Sequence, residues 1–340
     1  MRKWLQIWLV MLGWILSNSI MAQDIHFSQY LNSPLNLNPA LSGFHDSKFR
    51  FILNHRNQWS SVTVPYKTYS ASADMQIWKR KRQSDMFGLG IIFNNDQAGD
   101  SHYGTTQGAI SVSYVKALNR NNRNLLAFGA QAFYSQRSID YSQLYFPNQW
   151  NGNSYDPNRQ TGENFTVNSF SYFDISAGIH WFSIINSKLR FNSGLSVWHI
   201  NQPAQSLMND NSINLDIKYL LYSEAQIDLD RINALFPSIY YAHQGPYNEL
   251  TFGLRYQFVV HPNKQNYTAM HLGVFARNAD ALIIQLGMDY KKFRIAGSYD
   301  LNYSTLHVAS NYMGGFEISV MFFLDRHKTK KPSGMPCPIF

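Results

Sequence analysis

Residues 250–258 read LTFGLRYQF. Leu250, Phe252, Leu254, Tyr256 and Phe258 fall on one side of an extended chain, and Thr251, Gly253, Arg255 and Gln257 on the other, because strand side chains alternate with period 2. The same rhythm returns upstream, where Phe173, Ile175, Ala177, Ile179 and Trp181 oppose Asp174, Ser176, Gly178 and His180. Near the end of the chain, Phe316, Ile318, Val320, Phe322 and Leu324 leave Glu317 and Ser319 on the other face. Working outward from these, strand-like segments lie near 48–57, 66–78, 86–94, 104–117, 124–137, 170–182, 188–199, 218–228, 235–243, 249–260, 266–276, 281–290, 292–301 and 314–325. That is about 14 segments, each of the length that a tilted membrane strand needs.

The face opposite the apolar one separates two β architectures. A soluble sandwich turns its polar faces to bulk water and carries many Lys and Glu there. Here those faces hold Gly, Ser, Gln and Tyr with isolated charges of both signs: Arg50, Arg56, Asp174, Arg190, Arg255, Asp289, Arg294, Asp300 and Glu317. Scattered charges among small residues suit a lumen, where they pair across the barrel. Composition agrees. Charged residues are only 15% and aromatic residues 15% of the 340, and no apolar run of the roughly 20 residues of a membrane helix follows residue 22. The expected fold is an all-β transmembrane antiparallel barrel of about 14 strands, in which only alternate residues meet lipid.

The connections sort by length. With both termini in the periplasm, the periplasmic turns are short (KRKRQSD, NRNNRN, SIINSK, DLDRIN, HPNKQN and YKK), and the extracellular set near 95–103, 138–169, 200–217 and 302–313 is mostly longer. Residues 1–22 have Arg2 and Lys3, an apolar centre and Ala22, the pattern of a signal peptide. The expected organisation is a signal peptide at 1–22, an irregular periplasmic or luminal segment at 23–47, the barrel at 48–325 and a basic, Pro-rich periplasmic tail at 326–340. The lone cysteine, Cys337, rules out an intrachain disulfide framework and cysteine-based zinc sites. The net charge of +8 falls largely in short blocks, Lys79–Arg82 and Arg326–Lys331, and reads as turn and tail charge, not nucleic-acid binding.

Nothing in the chain assembles a catalytic motif. There is no Gly-x-Ser-x-Gly and no His-Glu-x-x-His, and the histidines are scattered without metal-ligand spacing. No enzyme activity, metal or cofactor is expected. Residues 94–100, NNDQAGD, cluster oxygen ligands, but Thr105 stands where a calcium loop has its closing Glu, so a polar hairpin loop is expected there. The longest connection, 138–169, is rich in Asn, Gly, Pro and aromatics. Tyr145, Phe146, Trp150, Tyr155 and Phe165 make it a candidate surface for an extracellular partner, since loops on a rigid scaffold carry binding.

Three stretches carry a family likeness: QDIHFSQYLNSPLNLNPALSGF (23–44) running on to FRFILNHRNQW (49–59), SYDLNYSTLHVASNYMGGFEISV (298–320), and CPIF (337–340). Together they resemble the PorP/SprF family of Bacteroidota outer-membrane proteins. The resemblance implies association with type IX secretion and gliding motility, in the outer membrane of a Gram-negative cell. It further implies a secreted adhesin or other surface protein with a C-terminal sorting domain as partner, delivered to or retained at the surface. The competing expectation is a diffusion channel or small-solute transporter. The family's patterned positions here, Asn38, Pro39, Gly43, Arg56, Trp59, Asp300, Gly314, Gly315, Glu317 and Cys337, read as structural. Pro39 fixes a turn and holds Asn38 extended, and Gly43 permits a tight turn before the first strand. Arg56 is expected to pair with Asp300 or Glu317 as strand 1 closes against strand 14. Residues 24–44 are left with three places: plugging the lumen, packing on its mouth, or touching the secretion machinery.

Overall fold

The computed structural model describes residues 24–60, 64–79, 85–163, 167–207, 212–262, 266–304 and 310–324. The signal peptide at 1–22, the tail at 326–340, Phe165 and Cys337 lie outside the described residues.

Fourteen strands run β1 (Phe49–Gln58), β2 (Tyr66–Lys79), β3 (Met86–Ala98), β4 (Tyr103–Ala117), β5 (Asn124–Ser138), β6 (Ser169–Ile184), β7 (Leu189–Trp198), β8 (Lys218–Asp228), β9 (Asn233–Gln244), β10 (Tyr247–His261), β11 (Thr268–Arg277), β12 (Ala281–Tyr290), β13 (Phe293–Asn302) and β14 (Met313–Leu324). Each pairs antiparallel with its sequence neighbours, and β1 closes on β14 with Phe49 opposite Leu324 and Arg56 opposite Glu317. Closure leaves no strand edge unpaired, which is the condition for a sheet to survive in lipid.

Burial is inverted relative to a soluble protein. Outward side chains are apolar and bare, with Leu53 61% exposed and Phe173 70%, whereas inward Ser176, Gln131 and Arg56 are buried. Outward aromatic rings gather toward the rims, as Phe293 and Phe322 do at 4.8 Å between centroids, and Tyr134 and Phe173 at 5.3 Å.

One mouth carries only short turns, such as Lys291–Lys292 between β12 and β13. The other carries the long connections at 139–168 and 199–217. The structure corrects one expectation here. The polar run 94–100 is not a loop: β3 continues through Ala98, and the turn is the short Gly99–His102. The apolar rhythm fails at that height because Asn94 faces a polar filling in the lumen and Asn95 bonds Thr106 above the lipid-facing band.

That filling is the N-terminal segment. Residues 24–47 form three single helical turns, Tyr30–Asn32, Pro34–Leu37 and Pro39–Leu41, lying inside the barrel. Asp24 lies beside Lys218, the first residue of β8, near the long-connection mouth. His45 lies beside Gln76, near the other mouth, where β1 begins and β14 ends.

Candidate functional site

The segment holds its place by local chemistry first. Asn38 is extended (φ −160°, ψ 125°) ahead of Pro39, and its side-chain oxygen accepts from the Ala40 N–H at 2.8 Å, capping the turn Pro39–Leu41. The Asn38 amide nitrogen then donates outward, to the carbonyls of Ile179 in β6 (2.9 Å) and Leu195 in β7 (3.2 Å). Gly43 takes φ +64° and donates its N–H to Asp74 at 2.7 Å. A Cβ there would meet the Met75 carbonyl and the Gly88 backbone.

The wall is shaped to receive the backbone. Gly129 of β5 and Gly178 of β6 lack a Cβ where the Ala40 amide and the Asn38 side chain press against the sheet. Around this contact Leu37, Ala40, Leu41 and Phe44 join Met86, Val115, Leu125 and Phe182 in an apolar cluster within the lumen. The remaining spaces are small. The cavities lined by Ser28–Asn32 and by Asp24, Ile25 and Asn36 against the wall are each about 20 Å³, room for single waters.

Above that cluster the filling is ionic. Glu317 of β14 accepts the N–H of Ser28 at 2.8 Å and of Gln29 at 3.0 Å. Asp300 of β13 accepts from the Ser28 hydroxyl at 2.7 Å and pairs with Arg56 at 3.3 Å, and Arg56 donates to the His26 carbonyl at 2.7 Å. Arg277 of β11 joins the knot, 3.2 Å from Asp300 and donating to the Ser28 hydroxyl. Lower down, Arg50 grips Asp74 through two bonds of 2.9 and 2.8 Å and donates to the Leu41 carbonyl. Each buried charge therefore meets an opposite charge or several backbone dipoles, the condition under which burial is tolerated. Burial alone pushes the Asp24 carboxyl up, but Lys218 at 3.2 Å and His199 at 3.4 Å hold it well below the usual carboxylate range.

Of the residues singled out in the sequence, Asn38, Pro39, Gly43, Arg56, Asp300 and Glu317 meet in or against this filling. Trp59, Gly314 and Gly315 sit apart, at the long-connection end of the β1–β14 seam. There the Trp59 N–H donates to the Gly314 carbonyl at 2.9 Å, and the Trp59 ring meets Tyr66 edge-on. Sequence reasoning missed Arg277, Lys218 and Asp24 as members of the lumen set. Arg277 ends a strand pattern, and nothing local marks it as inward.

Ser47, His45 and Asp74 line up as nucleophile, base and acid would, with Ser47 Oγ 2.7 Å from His45 Nδ1 and His45 Nε2 3.4 Å from Asp74. Ser47 has no exposed surface, and Arg50 and Gly43 already engage both Asp74 oxygens. The line is part of the packing. Among the described residues no group of three His, Cys, Asp or Glu converges as a metal site.

The second candidate is the long-connection mouth. In the connection 139–168, Tyr145, Trp150 and Tyr155 are exposed and cluster, with Tyr155 5.3 Å from Tyr145 and 5.1 Å from Trp150. Phe146 is half-buried beside them. The cluster is held from within. Arg159 donates to the Trp150 carbonyl at 2.8 Å, buried Gln149 accepts from the Phe146 N–H, and Trp150 and Tyr155 bridge as an isolated antiparallel pair. Asp140 accepts from the hydroxyl and N–H of Ser142, which holds its carboxyl below the ordinary range.

Two comparisons bear on this arrangement. The family model described as "Type IX secretion system membrane protein PorP/SprF" matches residues 19–322. No curated protein matches the chain. Among solved structures, the P. putida toluene transporter TodX is 9% identical over 86% of this chain and 93% of that one, with a TM-score of 0.51. The Ralstonia pickettii toluene transporter TbuX is 10% identical over 85% and 92%, with a TM-score of 0.49. At such identity the likeness to TodX is one of barrel fold alone.

Proposed function

The chain belongs to the PorP/SprF family of type IX secretion membrane proteins, and from that premise we propose that it is a non-catalytic docking barrel of the outer membrane. Its long-connection mouth faces outward and binds a secreted surface protein of adhesin type, through that protein's C-terminal sorting domain, for delivery to or retention at the cell surface. The short turns, the strand ends at Phe49 and Leu324 and the tail at 326–340 face the periplasm, where other secretion components are met. Tyr145, Trp150 and Tyr155 supply exposed aromatic anchors, which give contact area at low entropic cost on a pre-ordered loop, and Phe146 and Phe165 of the same connection complete the proposed contact set.

One observation carries this reading over a diffusion channel: residues 24–47 fill the lumen and bond to its wall, and the pockets between segment and wall are water-sized. A closed barrel has its mouths and loops to offer, not a passage. The test pairs planar-bilayer conductance of the purified protein with mass spectrometry of what co-purifies from native membranes. No steady conductance together with a co-purifying sorting-domain protein is the expected result. A large steady conductance with no such protein would replace this reading with the channel.

A further inference from the structure

The two mouths carry opposite charge. At the short-turn mouth the described connections hold Arg120, Arg123, Lys188, Arg231, Lys291 and Lys292, all exposed. Half-buried Asp46 lies at that end as well, and three further acids there are engaged locally. Asp85 bonds Lys116 at 2.9 Å, Asp228 bonds Arg190 at 2.7 Å, and Asp230 accepts the N–H groups of Ile232 and Asn233. The sequences 80–85 and 262–267, which join β2 to β3 and β10 to β11 at the same mouth, are basic too. So each of the six strand connections at this mouth carries Lys or Arg in its sequence. At the opposite mouth the connections hold Asp100, Asp140, Asp156, Glu163, Asp216 and Asp280, with Arg159 as the one Lys or Arg among their described residues.

The basic residues make a collar, not a patch, since they sit on the β4–β5, β6–β7, β8–β9 and β12–β13 connections around the circumference. Immediately inside it stands a band of outward aromatic rings: Trp78 on Phe87 at 5.9 Å, Phe87 on Tyr114 at 4.9 Å, and Phe51 on Phe322 at 6.3 Å. Such a band marks the depth at which acyl chains give way to headgroups. Two ammonium groups lie directly over lipid-facing rings of the band, Lys291 at 4.9 Å from Tyr290 and Lys48 at 5.5 Å from Phe49. The charge therefore stands at headgroup height and encircles the barrel. A protein partner would engage an arc or close the mouth, whereas an annular charge matches an annular ligand. Basic residues at this height attract anionic headgroups, and salt screens the attraction.

We propose that this collar binds the phosphate groups of anionic phospholipids in the leaflet at the short-turn mouth, and that the acidic opposite mouth makes the preference one-sided. The inference rests on the barrel and its charge, independently of the docking role above.

The experiment places the whole mature protein in bilayers of equal phosphatidylcholine and phosphatidylglycerol, extracts it in mild detergent and counts retained lipid by native mass spectrometry. Severalfold enrichment of phosphatidylglycerol is expected, falling at least twofold toward parity in a variant carrying R120Q, R123Q, K188Q, R231Q, K291Q and K292Q. Heat-modifiable electrophoretic mobility reports that this variant is still a barrel, and K291Q/K292Q alone should give an intermediate enrichment if the full set misassembles. Equal enrichment in the wild-type and neutralised proteins overturns the proposal. So does unchanged enrichment accompanied by loss of a co-purifying protein, which would assign the collar to an acidic protein surface.

Discussion

Residues 24–47 and the connection 139–168 are of comparable length, both rich in Asn, and neither joins the sheet. They are fixed in opposite ways. The first bonds outward, to Glu317, Asp300, Asp74, Ser238 and the carbonyls of β6 and β7, and is buried along nearly its whole length. The second bonds mostly to itself, through Asp140 to Ser142, Arg159 to Trp150 and Asp156 to Gln149, and turns its rings to solvent. At its base the Ile139 N–H donates to the Asn168 carbonyl, closing the connection on itself, and the Asp140 N–H donates to the Ser101 carbonyl in the neighbouring β3–β4 turn. An aperiodic stretch can thus be ordered by its surroundings or by its own turns. Only the first kind binds the fate of the stretch to that of the barrel.

The largest effect expected from breaking this contrast is that of deleting residues 24–44. The β1–β14 ladder is made by later residues, so the barrel should still close. Its lumen should open, giving discrete steady conductance steps in planar bilayers where the full chain gives none, and surface display of the partner should be lost. A deleted barrel that stays silent would mean that the wall collapses inward and that the segment is not what fills it.

Next in size is Glu317→Ala. It removes the acceptor of the buried Ser28 and Gln29 N–H groups, at a cost of about 1–3 kcal/mol for each donor left unpaired. Guanidinium titration followed by electrophoretic mobility measures it. A smaller loss, about 1–3 kcal/mol by overpacking, is expected for Gly129→Val, whose added methyls meet the Ala40 backbone. The same titration checks it, and a conductance that appears in this variant would show the segment pushed out instead. Least disturbing to the barrel is the pair Trp150→Ala with Tyr155→Ala. Stability should move by no more than about 0.5 kcal/mol, while capture of the secreted partner falls by about tenfold or more if these rings anchor it. A stability loss as large as that of Glu317→Ala would show that the connection, too, is tied into the barrel.

How much could be read in advance varied with distance along the chain. The strands were legible because each carries its own signal: Leu250 to Phe258 state their two faces without reference to any other segment. The turn at Asn38-Pro39 was legible for the same reason. The charged pair of Arg56 with Asp300 was open to inference once β1 was taken to close on β14. The contacts of Arg277 with Ser28 and of Lys218 with Asp24 were not, because Ser28 and Asp24 belong to a segment without period, and no rule of spacing brings it to those strands. The continuation of β3 through Ala98 was hidden for a related reason. Where the lumen is filled by polar chain, inward positions become Asn and Gln, and the apolar alternation that marks a strand disappears.

The sequence by itself determined that this chain is a barrel of about 14 strands and which of its residues face lipid. These follow from period-2 alternation and turn chemistry, which act over a few residues and need only the solvent on each side of the sheet to be specified. The tertiary structure alone decided where residues 24–47 go. Their order comes from partners as far away as Glu317, 289 residues beyond Ser28, and from glycines on β5 and β6 that leave room for them. Those partners converge only when the ring of strands closes around the segment.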